Sequence, residues 1–179
     1  ADDGNMWSVH EEDPEQARAF TEGMHSISEI PAQALADSLD LTNHKNMLDI
    51  GGGSGVFVIS FLERWQDLRG TVLELAPVCS LARERFDEAN LSDRASTHMG
   101  NMFEDEFPEG FDIVLFSQIM HDWPLEANRN LLLKANRILP VGGKVIIHEK
   151  LLNPTRSGPL ANALVSLDML YWTEGKQYT

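Results

Sequence analysis

Short runs of β-branched and apolar residues alternate along this chain with longer stretches whose apolar residues follow helical spacing. The short runs predict strands at Asn46–Ile50, Gly70–Leu75, Ala95–Met99, Phe111–Phe116 and Gly143–Glu149. The longer stretches predict helices at Pro14–Leu39 (one helix or two), Gly55–Arg64, Pro77–Ala89, Pro124–Leu139 and Leu160–Tyr171. Between the third and fourth strands, the stretch "EDEFPEG" predicts a loop.

This alternation of strands and helices is typical of an α/β fold with a parallel sheet. Each predicted strand is apolar enough for burial on both faces. Right-handed crossovers place the carboxyl ends of such strands along one edge, where open sheets bind ligands. We therefore expect a Rossmann-like, doubly wound, mostly parallel sheet. Pro77 and Pro124 are expected in the first turns of their helices, where the missing N–H has no cost.

Composition narrows the class of protein. The 179 residues, 42% of them hydrophobic, suffice for one sizeable core. A net charge of -14 disfavours nucleic acid and membrane surfaces as partners. The chain has no apolar run near the roughly 20 residues that span a bilayer, and its start lacks the pattern of a signal peptide, so we expect a cytoplasmic location. The single cysteine, Cys79, excludes an internal disulfide and is expected to be buried near a helix start.

A glycine-rich loop follows the first strand in "MLDIGGGSGVF". Gly51, Gly53 and Gly55 allow a sharp turn and the close approach of a ligand. A dinucleotide fingerprint would have a third glycine at Val56, so the spacing disfavours a nicotinamide cofactor. Asp49 would repel a pyrophosphate but favours a ligand with an ammonium or sulfonium charge. The loop therefore favours S-adenosylmethionine, and a structural turn without a ligand is the alternative.

Two later strand ends carry further candidates for the same site. Glu74 ends the second strand, where a carboxylate can accept both hydroxyls of an adenosine ribose. An exposed strand-end glutamate, or a dinucleotide site, would give the same pattern. After the third strand, Met102 is placed to lie against an adenine and the Asn101 amide to bond its edge, although Met102 also suits a core position.

Seven segments, in order, resemble the class I S-adenosylmethionine-dependent O-methyltransferases of plant phenolics and of bacterial antibiotic and pigment pathways. They are "FTEGMHSI", "LDIGGGSG", "LELAPV", "GNMFEDEFP", "MHDWP", "ILPVGGKVIIHE" and "DMLYWTEGKQYT". The resemblance covers nearly the whole chain, and "HDW" followed by Glu149 is its most specific part. It implies a helical lead-in over 1–44 and a methyltransferase core over 45–179. It also implies that the family's N-terminal dimerisation domain and last two strands are missing here, so we expect an incomplete sheet.

The resemblance also implies roles for individual residues. His121 matches the general base, Glu149 the carboxylate that orients it, and Gln177 a second family glutamate beside it. An imidazole suits removal of a hydroxyl proton near neutral pH, although His121 could instead cap the helix that follows. The cofactor positions are Asp49, Gly51, Gly53, Glu74, Asn101, Met102, Ser117 and Trp123. The acceptor pocket would use Met24, His25, Met120, Asp168, Met169 and Trp172, for which core packing is the alternative.

Three positions depart from the family pattern. Asn101 stands where many members have Asp, and Ser117 stands where plant members often have Lys. Gln177 can keep the hydrogen bond of the glutamate it replaces but loses the charge.

The resemblance implies methyl transfer from S-adenosylmethionine to a hydroxyl oxygen of a small aromatic natural product. Because no metal-ligand cluster accompanies the site in the sequence, we expect chemistry without a metal. The full-length family form is expected to be a homodimer. The alternative is a methyltransferase-like module that binds the cofactor without O-methyl transfer, and Val56 disfavours a nicotinamide oxidoreductase.

Overall fold

The computed structural model describes residues 13–179 and contains a five-stranded parallel sheet with flanking helices. The strands are β1 (Asn46–Ile50), β2 (Arg69–Glu74), β3 (Ala95–Met99), β4 (Ile113–Ser117) and β5 (Lys144–His148), in the sheet order β3-β2-β1-β4-β5. The helices are α1 (Pro14–Ser38), α2 (Val56–Arg64), α3 (Ala76–Glu88), α4 (Leu125–Ile138) and α5 (Leu160–Trp172), with a 3₁₀ turn at Met120–Asp122. The predicted α/β class is confirmed, and the predicted ends of the elements agree within two residues.

Strand β1 lies at the centre of the sheet, between β2 and β4. These three strands each pair on both edges, and side chains such as Leu48, Ile50 and Phe116 are fully buried. Burial of every strand on both faces was expected and is wrong for the two edge strands. Met99 in β3 is 67% exposed and Ile147 in β5 is 50% exposed, because an edge strand has a neighbour on one side only.

Helix α1 is a single helix that begins where the Asp13 carboxylate accepts the N–H groups of Glu15 and Gln16. Its buried residues are all small: Ala17, Thr21, Ala32 and Ala36. Small side chains on this face let α1 pack closely against the body of the protein. Residues 1–12 lie outside the described part, so the predicted lead-in is seen only from residue 13, and the division into 1–44 and 45–179 stays a prediction.

The two prolines differ in position. Pro77 lies in the first turn of α3, as predicted, whereas Pro124 immediately precedes α4 as its N-cap residue. Cys79 is buried near the start of α3, as predicted. Across residues 13–179, no helix has the length and apolar character needed to cross a membrane.

Candidate active site

A cavity of about 770 Å³ lies at the carboxyl edge of the sheet, between α1, the glycine loop and α5. It brings together twelve of the residues that the sequence predicts for the site. They are Met24, Gly51, Gly53, Glu74, Asn101, Met102, Ser117, His121, Trp123, Asp168, Met169 and Trp172. The strand ends meet here because all five strands are parallel.

The structure gives a different reason for the glycine at each of the three alternate positions of the loop. All have positive φ, between 56° and 76°. A Cβ at Gly51 would lie 2.6 Å from Ile119 Cδ1, and one at Gly55 would overlap the Phe86 ring. A Cβ at Gly53 would meet only Thr21 Cγ2, at 3.8 Å. The sequence argument assigned all three to ligand approach. Only Gly53 has open space beside it, whereas packing inside the protein requires the other two.

Asp49 lies under the loop rather than on the cavity wall. Its side chain is fully buried, and neither carboxylate oxygen has a hydrogen-bond partner among the described residues. A Cβ on Gly52 would lie 2.5 Å from Asp49 Oδ2, so the loop backbone covers the carboxylate closely. Burial, and then the charge of Glu74, raise the pKa of Asp49 well above its usual range. A buried acid without a partner favours a nearby cation, which would stabilise its charge.

Glu74 ends β2 on the cavity wall. Its Oε2 accepts the N–H of Leu75 at 2.7 Å. Burial raises the pKa of Glu74 to about 7, against the lowering effect of backbone hydrogen bonds from Leu75 and Gly53. Two carboxyl groups with raised pKa values at neighbouring strand ends fit a ligand that carries positive charge and hydroxyl groups.

The wall after β3 is held by contacts within the protein. The Asn101 side-chain oxygen accepts the N–H of Phe103 at 2.9 Å. Lys134 Nζ donates to the carbonyls of Met102 and Phe103 at 3.0 and 2.7 Å. The Trp123 ring packs edge-on against Phe103, with centroids 4.5 Å apart. This wall therefore offers a fixed surface of apolar and aromatic groups suited to a flat ring.

Ser117 is the last residue of β4. Its hydroxyl is 2.9 Å from His148 Nδ1. Burial lowers the pKa of His148. Where plant members often have a charged Lys, this chain therefore has the neutral pair Ser117 and His148.

His121 lies in the 3₁₀ turn that follows β4, and Glu149 follows β5. Because β4 and β5 pair in parallel, with Ser117 opposite His148, the two residues become neighbours. His121 Nδ1 is 2.6 Å from Glu149 Oε2, and the other oxygen, Oε1, accepts the N–H of Met120 at 2.8 Å. A carboxylate only accepts, so Nδ1 carries the proton and Nε2 of a neutral ring is the proton acceptor.

The electrostatics of this pair favour the charged imidazole. Burial lowers the pKa of His121, but the hydrogen bond to Glu149 and the charges of Asp122 and Glu149 outweigh it, and the net pKa is raised. Asp122 Oδ1 lies 3.4 Å from His121 Nε2. Burial raises the pKa of Asp122 to about 6, opposed by the charge of His121. The cluster can take up a proton at Nε2 and stabilise it.

Five predicted site residues do not line the cavity: Asp49 and Glu149, described above, and His25, Met120 and Gln177. His25 and Met120 were expected in the acceptor pocket, but neither lines the cavity. His25 Nδ1 lies 2.8 Å from Ser54 Oγ, and Met120 packs in the core below the site. Gln177 is buried, and its side-chain amide has no hydrogen-bond partner within the described chain. The hydrogen bond expected for Gln177 is therefore absent.

The cavity also contains residues that the sequence reasoning missed. Phe20 and Ser28 lie one helical turn before and after Met24 on α1, and all three line the cavity. Their spacing of four residues from Met24 could have predicted that both share the cavity face of the helix. Ile119 and Gln118 also line it, but they follow β4 in an irregular segment for which the pattern gave no signal.

Within residues 13–179, no group of three or more His, Cys, Asp or Glu side chains is arranged to hold a metal ion. The prediction of metal-independent chemistry is not tested by this observation.

The chain is similar to known proteins along nearly its whole length. The sequence profile of a family described as the O-methyltransferase domain matches residues 3–179. The chain is 39% identical over 177 residues to 3-hydroxy-5-methyl-1-naphthoate 3-O-methyltransferase of Streptomyces sahachiroi, which covers 99% of this chain and 50% of that protein. It is 38% identical over 156 residues to L-tyrosine C(3)-methyltransferase of Streptomyces lavendulae, which covers 87% of this chain and 43% of that protein.

Among solved structures, an O-methyltransferase from neocarzinostatin biosynthesis, in complex with S-adenosyl-L-homocysteine and 1,4-dihydroxy-2-naphthoic acid, matches with a TM-score of 0.88 and 28% identity. The match covers 98% of this chain and 52% of that one. The chain thus spans about half the length of the curated relatives it matches. With a profile match over nearly its whole length, the chain belongs to the O-methyltransferase domain family.

Proposed function

We propose that this chain forms the cofactor-binding and catalytic part of an enzyme that transfers a methyl group from S-adenosylmethionine to a hydroxyl oxygen of a small aromatic compound. The observation that carries the proposal is the His121–Glu149 pair, 2.6 Å apart, whose histidine lines the cavity that also contains the glycine loop and Glu74. The relative named for a hydroxynaphthoate and the neocarzinostatin enzyme bound to a dihydroxynaphthoic acid support an aromatic acceptor.

S-adenosylmethionine, when bound, supplies a methyl group on a positively charged sulfur. The chain offers two features that fit such a ligand: the buried, unpartnered Asp49 under the loop and the raised pKa of Glu74 on the wall. Glu74 would accept the ribose hydroxyls, the backbone at Gly53 would allow close approach, and Gly51 would contact the cofactor from the cavity wall. The remaining residues that we assign to cofactor binding are Asn101, Met102, Ser117 and Trp123.

His121 would act on the acceptor. Its Nε2 would take the hydroxyl proton, and this increases the nucleophilicity of the oxygen. Glu149 accepts from Nδ1 and fixes the ring orientation, and its charge stabilises the imidazolium that forms. Asp122, 3.4 Å from Nε2, adds a second negative group that favours the protonated ring. A positioned base of this kind contributes typically about 10²–10⁴ in rate.

The acceptor itself would lie between α1 and α5. Met24 on α1 and Met169 and Trp172 on α5 line this part of the cavity, with Asp168 as a polar neighbour. Thioether and indole side chains suit the faces and edges of a flat aromatic ring.

A second candidate is a protein that binds the cofactor but does not perform O-methyl transfer. The relative named for C(3)-methylation of L-tyrosine, at 38% identity, favours keeping this candidate because it modifies carbon.

An activity assay separates the two. The full-length protein would be incubated with methyl-labelled S-adenosylmethionine and, separately, a panel of hydroxynaphthoates, simple phenols and L-tyrosine. We expect labelled methyl ethers, identified by mass spectrometry and by loss of the free hydroxyl. A label on carbon, or binding of S-adenosylhomocysteine without any product, would favour the second candidate. Homodimer formation by the full-length protein and a cytoplasmic location stay predictions.

A further inference from the structure

His25 joins helix α1 to the glycine loop through a hydrogen bond to Ser54. Its Nδ1 lies 2.8 Å from Ser54 Oγ, and its Nε2 lies 3.3 Å from Glu29 Oε1, one turn further along α1. The Glu29 carboxylate near Nε2 favours the tautomer that has its proton on Nε2, and in that tautomer Nδ1 accepts the Ser54 hydroxyl proton. Ser54 then donates to His25, and Glu29 lies beside the opposite ring nitrogen.

A serine hydroxyl on a histidine beside a carboxylate resembles a hydrolytic nucleophile, but burial excludes that role here. Ser54 is 3% exposed and does not line the cavity. A nucleophile must reach its substrate, whereas Ser54 faces the inner side of α1. The hydrogen bond therefore acts between elements of the protein.

The two elements that it joins both line the cavity. Phe20, Met24 and Ser28 of α1 line the cavity, and so does Gly53, the residue before Ser54. Thr21 Cγ2 lies 3.8 Å from the position of a Cβ on Gly53, so helix and loop also touch directly. Any displacement of α1 would change the distance between this wall and the loop backbone.

Near His25 the buried residues of α1 are small, and the ion pairs that join α1 to other helices, Arg18–Glu84 and Asp37–Arg64, lie towards its two ends. Thr21 and Ala32, which flank His25 on the buried face, are short and offer limited apolar area to fix the helix along its axis. A hydrogen bond is directional and fixes the register of the two elements more sharply than such contacts do.

We propose that His25 is a positioning residue that holds α1 in register with the glycine loop and thereby sets the affinity for the adenosyl ligand, rather than the choice of acceptor. This inference rests on the proposed function for the identity of the ligand. It replaces the expectation that His25 contacts the methyl acceptor.

The test is calorimetric titration of S-adenosylhomocysteine into the full-length protein and four variants. His25→Ala and Ser54→Ala each remove the same hydrogen bond from one side, and we expect each to weaken binding about tenfold. The double variant should bind no more than about threefold more weakly than either single variant, because both changes remove one interaction. His25→Asn keeps an acceptor at the position of Nδ1 and should restore affinity to within about threefold of wild type.

A control and a second measurement separate positioning from general stability. Ser26→Ala removes a hydroxyl from the exposed side of the same helix, where it donates to the Glu22 carbonyl, and should leave affinity unchanged. Thermal unfolding of each variant without ligand shows whether affinity follows stability. Ser54→Ala deletes a single hydroxyl, so it remains informative if His25→Ala does not fold.

Unchanged affinity in His25→Ala and Ser54→Ala, additive losses in the double variant, or failure of His25→Asn to restore binding would each overturn the inference. A changed KM for the acceptor with unchanged affinity for S-adenosylhomocysteine would return His25 to the acceptor pocket. If the wild-type protein does not bind S-adenosylhomocysteine at all, the proposed function fails, and this inference fails with it.

Discussion

Replacement of Glu74 by Gln removes a buried negative charge from the sheet edge with little change in side-chain shape. Burial raises the pKa of Glu74 from an ordinary 4.5 to about 7. The difference between these two values corresponds to about 3 kcal/mol of folding free energy. Below about pH 4.5 the Glu74 carboxyl is protonated in both the folded and the unfolded protein, so it does not destabilise the fold. Above about pH 7 it is ionised in both, and the buried charge then destabilises the folded protein by the full amount.

The ligand-free wild-type protein should therefore lose stability as pH rises through this window, with about 2–3 kcal/mol of the loss between pH 5 and pH 8. Glu74→Gln has no such group and should gain about that amount relative to wild type over the same interval. Gln is also a weaker acceptor for ribose hydroxyls, so S-adenosylhomocysteine should bind about 1–3 kcal/mol more weakly. The substitution thus stabilises the free protein at alkaline pH and weakens ligand binding.

Urea unfolding at pH 5 and pH 8, without ligand, measures the first effect, and titration calorimetry measures the second. Glu63→Gln makes the same charge change on the exposed side of α2 and serves as the matched control. The reasoning is refuted if wild type and Glu74→Gln show the same difference in unfolding free energy between the two pH values. An unchanged affinity would separately remove Glu74 from the ligand site.

Three further substitutions test the glycine loop and the base. Gly53→Val should abolish S-adenosylhomocysteine binding in calorimetry, whereas Gly110→Val, at a glycine that also has a positive φ but does not line the cavity, should bind normally. His121→Ala should lower turnover on a neutral hydroxyl acceptor by about 10²–10⁴ while ligand affinity stays within about threefold, and full turnover would disprove the base assignment. The wild-type rate should rise with pH as His121 loses its proton, and this rising limb of the pH-rate profile should lie above the ordinary histidine pKa of 6.5. Glu149→Gln should shift the limb to lower pH, because it removes a group that raises the pKa of His121. An unmoved limb would show that another group titrates.

The order and type of the elements followed from the sequence because they depend on local periodicity. The strand β1, the glycine turn after it and helix α2 each have a pattern within about ten residues, and each appears where predicted. The pairing of His121 with Glu149 was implied by resemblance to a family. The physical reason for it, the parallel pairing of β4 with β5, joins parts of the chain about 30 residues apart.

Other properties of the site came only from the tertiary structure. The sequence placed Asp49 beside a ligand, and the structure shows that the loop folds over it and leaves both of its oxygens buried, with no hydrogen-bond partner among residues 13–179. It placed His25 against the acceptor, yet the packing of α1 turns the ring towards Ser54. Periodicity indicates which side of an element is apolar. The packing of elements distant in the sequence decides which polar atoms lie next to one another and which are buried. It therefore decides the pKa values and the hydrogen bonds of the site.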